Sequence, residues 1–202
     1  MKLYLIRHGQ TEWNTQRRVQ GAMDSPLTKN GILQAENAAR RLKDIHFAAA
    51  FASPQLRAYR TAEIITADHP YLKLEKQPCL REFSFGDWEG HLLDQMQEEE
   101  PEKWDVYKKT PSAFTAPNGD CMIARVAESK AFADRLVERY FGENVLCVTH
   151  GYAIRIFLAA VLGIPLESTR FFMPGNTAIS IVEYKQPDTP QVRVFGDVSH
   201  NQ

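Results

Sequence analysis

Short apolar runs and stretches of helical period alternate along the chain. Lys2–Arg7 is a short buried strand that runs straight into a cation, a histidine and a glycine, Arg7-His8-Gly9. Thr28 stands at the N-cap of a helix on which Ile32, Ala35, Ala39 and Leu42 recur at helical spacing. Phe47–Ala52 is a second apolar run, closed by Ser53 and Pro54. Gln55–Ala67 follows as a helix with Leu56, Ala62 and Ile65 among its apolar positions, and Leu72–Glu75 reads as a short strand. Met122–Phe141 is an amphipathic helix with Ile123, Val126, Ala133, Leu136, Val137 and Tyr140 on one stripe. Val145–Thr149 is a buried strand, and Ala153–Leu162 is a helix ended by Gly163 and Pro165. Ala178–Tyr184 and Val192–Phe195 are two strands, joined closely enough for an antiparallel return.

Between residues 80 and 118 the periodicity breaks down. Leu92–Glu100 reads as a short helix stopped by Pro101; the rest mixes Pro111 and Pro117 with scattered tryptophan and phenylalanine. Long irregular insertions in compact domains are often lids or binding loops. The β-α-β-α order predicts an α/β fold: three layers, α/β/α, around a mostly parallel central sheet with one antiparallel strand. A single domain would span residues 1–202, with a substrate-facing insertion at about 83–118. Ligands of such sheets bind at the carboxyl ends of the strands.

Composition narrows the function. The net charge of −1 argues against nucleic acid as the partner, because a phosphate backbone calls for a basic excess. The first apolar run and the later one, Ile156–Ile164, are each too short to span a membrane, so no membrane association is expected. Cys79, Cys121 and Cys147 are odd in number and far apart, and neither a Cys-x-x-Cys pair nor His-Glu-x-x-His occurs. Neither zinc nor a disulfide frame is indicated, and reduced thiols fit a cytoplasmic protein.

Two strands carry the same punctuation. One ends in Arg7-His8-Gly9 and the other in Thr149-His150-Gly151. Each places a histidine where a parallel sheet presents its site, and each glycine would let the backbone turn sharply and approach a ligand. Arg57 lies in the first turn of the helix after Ser53-Pro54, Asn14 follows Arg7 closely, and Glu82 opens the insertion. Taken singly, Arg57 also reads as a solvated helix face, Asn14 as a turn residue and Glu82 as a surface partner for Arg81. Together, two histidines, two arginines, an amide and a carboxylate suit a phosphoryl group, whose oxygens accept the guanidinium fork. His46, His69, His91 and His200 have no such context and are read as surface or loop residues.

LIRHGQTEWN, with Gly21, Asp24, Pro26-Leu27-Thr28 and Gly31, resembles the opening of the histidine phosphatase superfamily, also called phosphoglycerate mutase-like. The resemblance continues through Ser53, Arg57-Ala58, Thr61-Ala62, LREFSFGDWEG at Leu80–Gly90 and VTHG at Val148–Gly151, and so covers most of the chain. It implies that His8 is the nucleophile and forms a phosphohistidine, and that Glu82 is the proton donor. Arg7, Arg57 and His150 would grip the transferred phosphoryl oxygens, with Asn14, Gln20, Gly21 and Gly151 completing the binding set. No metal or other cofactor is implied. The sequence departs from the family at Pro117-Asn118-Gly119-Asp120-Cys121, where relatives usually show Gly-Gly-Glu-Ser after the proline. It also departs at Gln55, where leucine is common.

Three readings compete: a phosphomonoesterase acting on a small phosphorylated metabolite, a cofactor-dependent phosphoglycerate mutase, and a phospholigand-binding module without turnover. The insertion lacks the adjacent arginines that hold a second phosphate in the mutases, and residues 80–90 look closer to the small phosphatases of the family, including α-ribazole phosphatases and broad-specificity types. Hydrolysis therefore ranks first. Neither the natural substrate nor the oligomeric state is encoded in a readable motif.

Overall fold

The computed structural model describes all residues from Met1 to Gln202. Six strands form one sheet: β1 (Lys2–Arg7), β2 (Ala49–Ala52), β3 (Leu74–Lys76), β4 (Asn144–Thr149), β5 (Ile179–Tyr184) and β6 (Pro190–Asp197). Their order across the sheet is β3-β2-β4-β1-β5-β6. The first four strands pair in parallel, and β5 pairs antiparallel with both β1 and β6, so β5 alone runs against the rest. Seven helices accompany the sheet: α1 (Glu12–Thr15), α2 (Lys29–Leu42), α3 (Leu56–Thr66), α4 (Leu93–Glu99), α5 (Pro101–Lys109), α6 (Met122–Tyr140) and α7 (Gly151–Leu162). None of them is long and apolar enough to cross a membrane.

The two-residue period of a strand builds the layers. On β1 and β4, Leu3, Leu5, Val145 and Cys147 face one way and pack with Phe132 and Leu136 of α6 and Ile154 and Leu158 of α7. Tyr4, Ile6, Leu146 and Val148 face the other way and pack with Ala38 and Leu42 of α2 and Ala58, Ala62 and Ile65 of α3. Both faces of the central strands are covered, which is why they read as unbroken apolar runs. Pro190 can open β6 because this is an edge strand, where a missing N–H breaks no ladder.

Thr28 caps α2 as expected: its Oγ1 accepts the Gly31 N–H at 2.9 Å, a contact of ~1 kcal/mol in helix stability. The helix start is pressed against the loop after β1. A Cβ on Gly9 would lie 2.4 Å from Gly31 O, and one on Gly31 would lie 2.0 Å from Gln10 O. Gly9 therefore serves close backbone approach rather than a left-handed turn, since its φ is not positive.

Three expectations need correction. Ile32, Leu56 and Ile123 sit at helical spacing but are exposed, Leu56 and Ile123 at 69% and 64%. His69 is buried rather than superficial, edge-on to Phe47 with Nδ1 3.3 Å from the Tyr71 hydroxyl. The insertion is also more regular than its broken period implied. Pro101 does not merely stop a helix: it is the first residue of α5, where proline's fixed φ suits a helix start. Phe83, Phe85, Trp88, Met96 and Phe114 form a cluster of their own with Tyr152 and Ile156 of α7. Non-adjacent aromatic pairs at centroid separations near 5–6 Å hold it, and such pairs leave no period in the sequence.

Candidate active site

The sheet register brings the two histidines together. Arg7 of β1 stands opposite Thr149 of β4, so His8 and His150 leave adjacent strands side by side. Their ring centroids are 5.2 Å apart, and both rings are buried. His8 Nδ1 lies 2.7 Å from the Gly9 carbonyl oxygen, which can only accept, so Nδ1 carries the proton and Nε2 keeps its lone pair. His150 Nε2 lies 2.7 Å from Ser53 Oγ, whose other acceptor, Gln55 Oε1, is at 3.3 Å. The ring can accept the hydroxyl proton at Nε2, and this is the tautomer in which Nδ1 can donate to a ligand. His150 Nδ1 is buried without a partner. Burial, and then the charge of Arg57, push both imidazoles well below the ordinary histidine range, so both are neutral at pH 7.

Arg57 is almost fully buried at the start of α3 and clasps the loop between α1 and α2. Its Nη1 donates to Met23 O at 2.6 Å and Asp24 Oδ1 at 2.8 Å, and its Nη2 to Gly21 O at 2.8 Å. Of five guanidinium donors, the Nε–H and one Nη2–H remain. Nε is buried and unpartnered. Arg7 spends Nη1 on Pro174 O at 2.8 Å, and its Nε is also buried without a partner. The reading of Arg57 as a solvated helix face is thereby excluded.

The remaining predicted residues surround these donors. Asn14 Oδ1 accepts from Thr11 N and from Asn176 Nδ2, both at 3.1 Å, so the Nδ2 end is left for a ligand. Gln20 is buried with Oε1 accepting from Ser25 Oγ at 3.3 Å. Gly21 holds a φ of +51°, and a Cβ there would strike Glu89 Oε1 at 2.1 Å. Gly151 opens α7, two residues earlier than its sequence pattern indicated, and a Cβ there would crowd Arg7 Nε at 3.3 Å. The earlier start matters because it frees the N–H groups of the first turn for Glu82. Glu82 Oε1 accepts from Phe83 N at 3.0 Å and Ala153 N at 2.9 Å, and Oε2 from Tyr152 N at 3.2 Å. The Glu82 carboxylate is not the partner of Arg81, whose Nη2 bonds Asp120 Oδ1 at 2.8 Å and whose Nη1 reaches only the Glu82 main-chain oxygen, at 3.3 Å.

A cleft of about 200 Å³ joins this set; Arg7, His8, Asn14, Gln20, Gly21, Arg57, Glu82 and Gly151 all line it. His150 stays below its surface, fully buried. The far walls are aromatic, from Phe85, Trp88, Trp104, Tyr107 and Tyr152. No group of three or more His, Cys, Asp or Glu side chains is placed to hold a metal ion. Strand ends that converge on paired neutral imidazoles and orphaned guanidinium donors form an anion site. A family profile described as histidine phosphatase superfamily (branch 1) matches residues 3–198.

The chain belongs to the histidine phosphatase superfamily.

Among curated relatives, a probable phosphoglycerate mutase, GpmB, of Cronobacter sakazakii is 35% identical over 99% of this chain and 94% of its own. Among solved structures, Bacillus stearothermophilus YhfR superposes with a TM-score of 0.92 at 34% identity, covering 100% of this chain and 99% of that one. The α-ribazole phosphatase of Shigella flexneri superposes with a TM-score of 0.87 at 30% identity, covering 98% and 97%. The superfamily fold thus hosts proteins named for both hydrolysis and mutase chemistry.

Both departures from the superfamily pattern acquire a place. Asp120 lies behind the cleft, where it accepts from Arg81 and from Ser84 N at 2.8 Å and so anchors the start of the insertion. Gln55 is a junction: Oε1 accepts the Glu82 N–H at 2.7 Å, and Nε2 donates to Gly21 O at 2.7 Å. Sequence reasoning attached little to Gln55 and missed Asn176 and Glu89. Asn176 Nδ2 donates to His8 O at 3.1 Å as well as to Asn14. Glu89 Oε1 gathers Ala22 N, Ser84 Oγ and Phe85 N, tying the Gly21 loop to the insertion. Glu89 lay inside the Leu80–Gly90 motif, so a signal was present; nothing around Asn176 marked it.

Proposed function

We propose that this protein is a metal-independent phosphomonoesterase that hydrolyses small phosphorylated metabolites through a phosphohistidine on His8. The observation that carries the reading is the convergence of unpartnered buried donors, Arg7 Nε, Arg57 Nε and His150 Nδ1, beside the lone pair of His8 Nε2. Buried donors without acceptors are costly, and an incoming phosphoryl group satisfies all of them at once.

His8 Nε2 attacks phosphorus in line, and the bond from phosphorus to the alcohol oxygen breaks with its electron pair moving to that oxygen. The proton stays on Nδ1, donated to the Gly9 carbonyl oxygen, which steadies the imidazolium as it forms. Arg7, Arg57, His150 and the Asn14 amide hold the equatorial oxygens, where fixed donors lower the barrier because they need no reorganisation. Glu82, held against the first turn of α7, gives a proton to the leaving oxygen. It then takes one from the water that attacks the phosphohistidine, and His8 is released with inorganic phosphate. Three free cysteines, one of them exposed, support a cytoplasmic setting.

The mutase reading is favoured by the printed names of the curated relatives. Against it, five aromatic rings line the cleft beyond the donors, beside Arg18 and Arg155, which suits an ester whose alcohol has an apolar body. The deciding assay incubates the protein with 3-phosphoglycerate plus 2,3-bisphosphoglycerate, and separately with p-nitrophenyl phosphate, in EDTA. The expected result is free phosphate from the aryl ester at an undiminished rate and slow isomerisation. Fast isomerisation with little phosphate release overturns the reading.

A further inference from the structure

The cleft does not end at its aromatic wall. A second cleft of about 340 Å³ shares Leu93, Trp104, Tyr107, Arg155 and Met173 with the first, and so continues it outward. Its lining holds four cations, Arg17, Lys108, Arg155 and Arg170, against one carboxylate, Asp94. Asp94 is already paired with Arg17 at 3.1 Å. The other three cations have no carboxylate partner, on a chain whose net charge is −1.

These cations are held open. Arg155 Nε donates to Thr169 O at 2.8 Å, and its guanidinium lies 4.4 Å over the Tyr152 ring. Lys108 Nζ lies 5.4 Å over Trp104, and the Arg170 guanidinium 4.8 Å over Phe171. Aromatic faces orient a cation without neutralising it, so its charge remains available to a ligand. Lys103 and Lys109, on the same helix as Lys108, are by contrast paired with Glu100 and Asp105.

The spacing follows from α7. Gly151 lies at the phosphoryl end, and Arg155 is four residues on, hence on the same helix face and about 6 Å further along the axis. Between them the walls are the rings of Tyr152 and Tyr107, stacked at 5.8 Å.

We infer that this second cleft is an anion subsite for the leaving group: the substrates are phosphomonoesters whose alcohol has an apolar or planar body and carries a second anionic group at its far end. This deepens the hydrolase reading and rests on it. Arg155, Arg170 and Lys108 would bind the distal carboxylate or phosphate, and Trp104 and Tyr107, which line both clefts, would contact the body.

The test compares 3-(4-phosphonooxyphenyl)propanoate with its neutral carboxamide, and p-nitrophenyl phosphate reports turnover in general. Wild type should hydrolyse the carboxylate with at least tenfold higher kcat/KM than the amide, through KM, and added salt should shrink the gap. In Arg155→Gln/Arg170→Gln the ratio should fall to about one, whereas Lys73→Gln, on a remote loop, should keep the wild-type ratio. Titration of both esters into His8→Ala reads the same preference as affinity without turnover. If p-nitrophenyl phosphate is cleaved but carboxylate and amide are equal in rate and affinity, or if the preference survives the double substitution, the subsite is refuted and the hydrolase reading stands. If nothing is cleaved yet His8→Ala prefers the carboxylate through Arg155 and Arg170, the subsite stands and the hydrolase reading falls.

Discussion

The two ends of the cleft are built on different physics. At the strand ends, His8, His150 and Arg57 are buried and tied to main-chain atoms or to neighbours that are themselves tied. At the insertion, the walls are aromatic rings packed on one another, and Lys108, Arg155 and Arg170 among them have no carboxylate partner, Lys108 and Arg170 being exposed and Arg155 half-buried. A reaction that moves a charged phosphoryl group needs donors that do not reorganise, and register-locked strand ends supply them. Recognition of an alcohol needs shape and adjustable charge, and an insertion resting on α7 can vary without disturbing the sheet.

The sharpest way to break this comparison is at His8, the proposed nucleophile. His8→Ala should abolish turnover on every ester while the far cleft still binds leaving-group analogues, measured by steady-state kinetics and calorimetry. Glu82→Gln should slow alkyl phosphates by ~10²–10⁴-fold, the span of general acid catalysis, and slow p-nitrophenyl phosphate far less, because that leaving group needs no proton. Equal losses on both esters would remove Glu82 from proton transfer. Arg57→Ala should cost ~3 kcal/mol in the barrier, about a hundredfold in kcat, and should also loosen the loop its guanidinium holds at Gly21 and Met23.

A pH experiment sharpens the contrast through stability. The folded rings of His8 and His150 resist protonation, mainly because they are buried. The unfolded chain takes up those protons from about pH 6.5 downward. Below that pH the unfolded state binds more protons, so stability falls as pH falls, by ~1.4 kcal/mol per pH unit for each ring. Urea melts in phosphate-free buffer between pH 7 and 5.5 should show this slope, to which the rings of His69 and His200, also lowered by burial, add, and His8→Gln should remove one ring's share. The smallest effect is expected at Gln55→Leu. It removes the acceptor of the Glu82 N–H and a donor to Gly21 O, and should cost ~1–2 kcal/mol, roughly five- to thirtyfold in kcat/KM.

The same contrast explains what was legible in the sequence. The strands β1 and β4 announced themselves as apolar runs because both their faces are covered, and the histidines after them followed from where the runs stopped. Only the register, which the sequence does not print, made them neighbours. The sole antiparallel strand was also legible, from the short link between β5 and β6. The aromatic cluster of the insertion was not, because Trp88, Tyr107, Phe114 and Tyr152 meet across helices and turns with no common period. Arg155 hid for a related reason: its helix reads as wholly apolar, and its partners Thr169 and Tyr152 come from different stretches. The role of Gln55 hid because a single polar side chain joined three loops that are distant in sequence.

The central claim is that the phosphoryl group rests on one particular ring nitrogen between the two chemical steps. Mixing the enzyme with excess aryl phosphate, quenching in alkali within the first turnover and sequencing the peptides by mass spectrometry should find the phosphoryl adduct on the peptide containing His8, and none on that containing His150. Brisk turnover with no adduct on His8, or with the adduct on His150, would contradict the account.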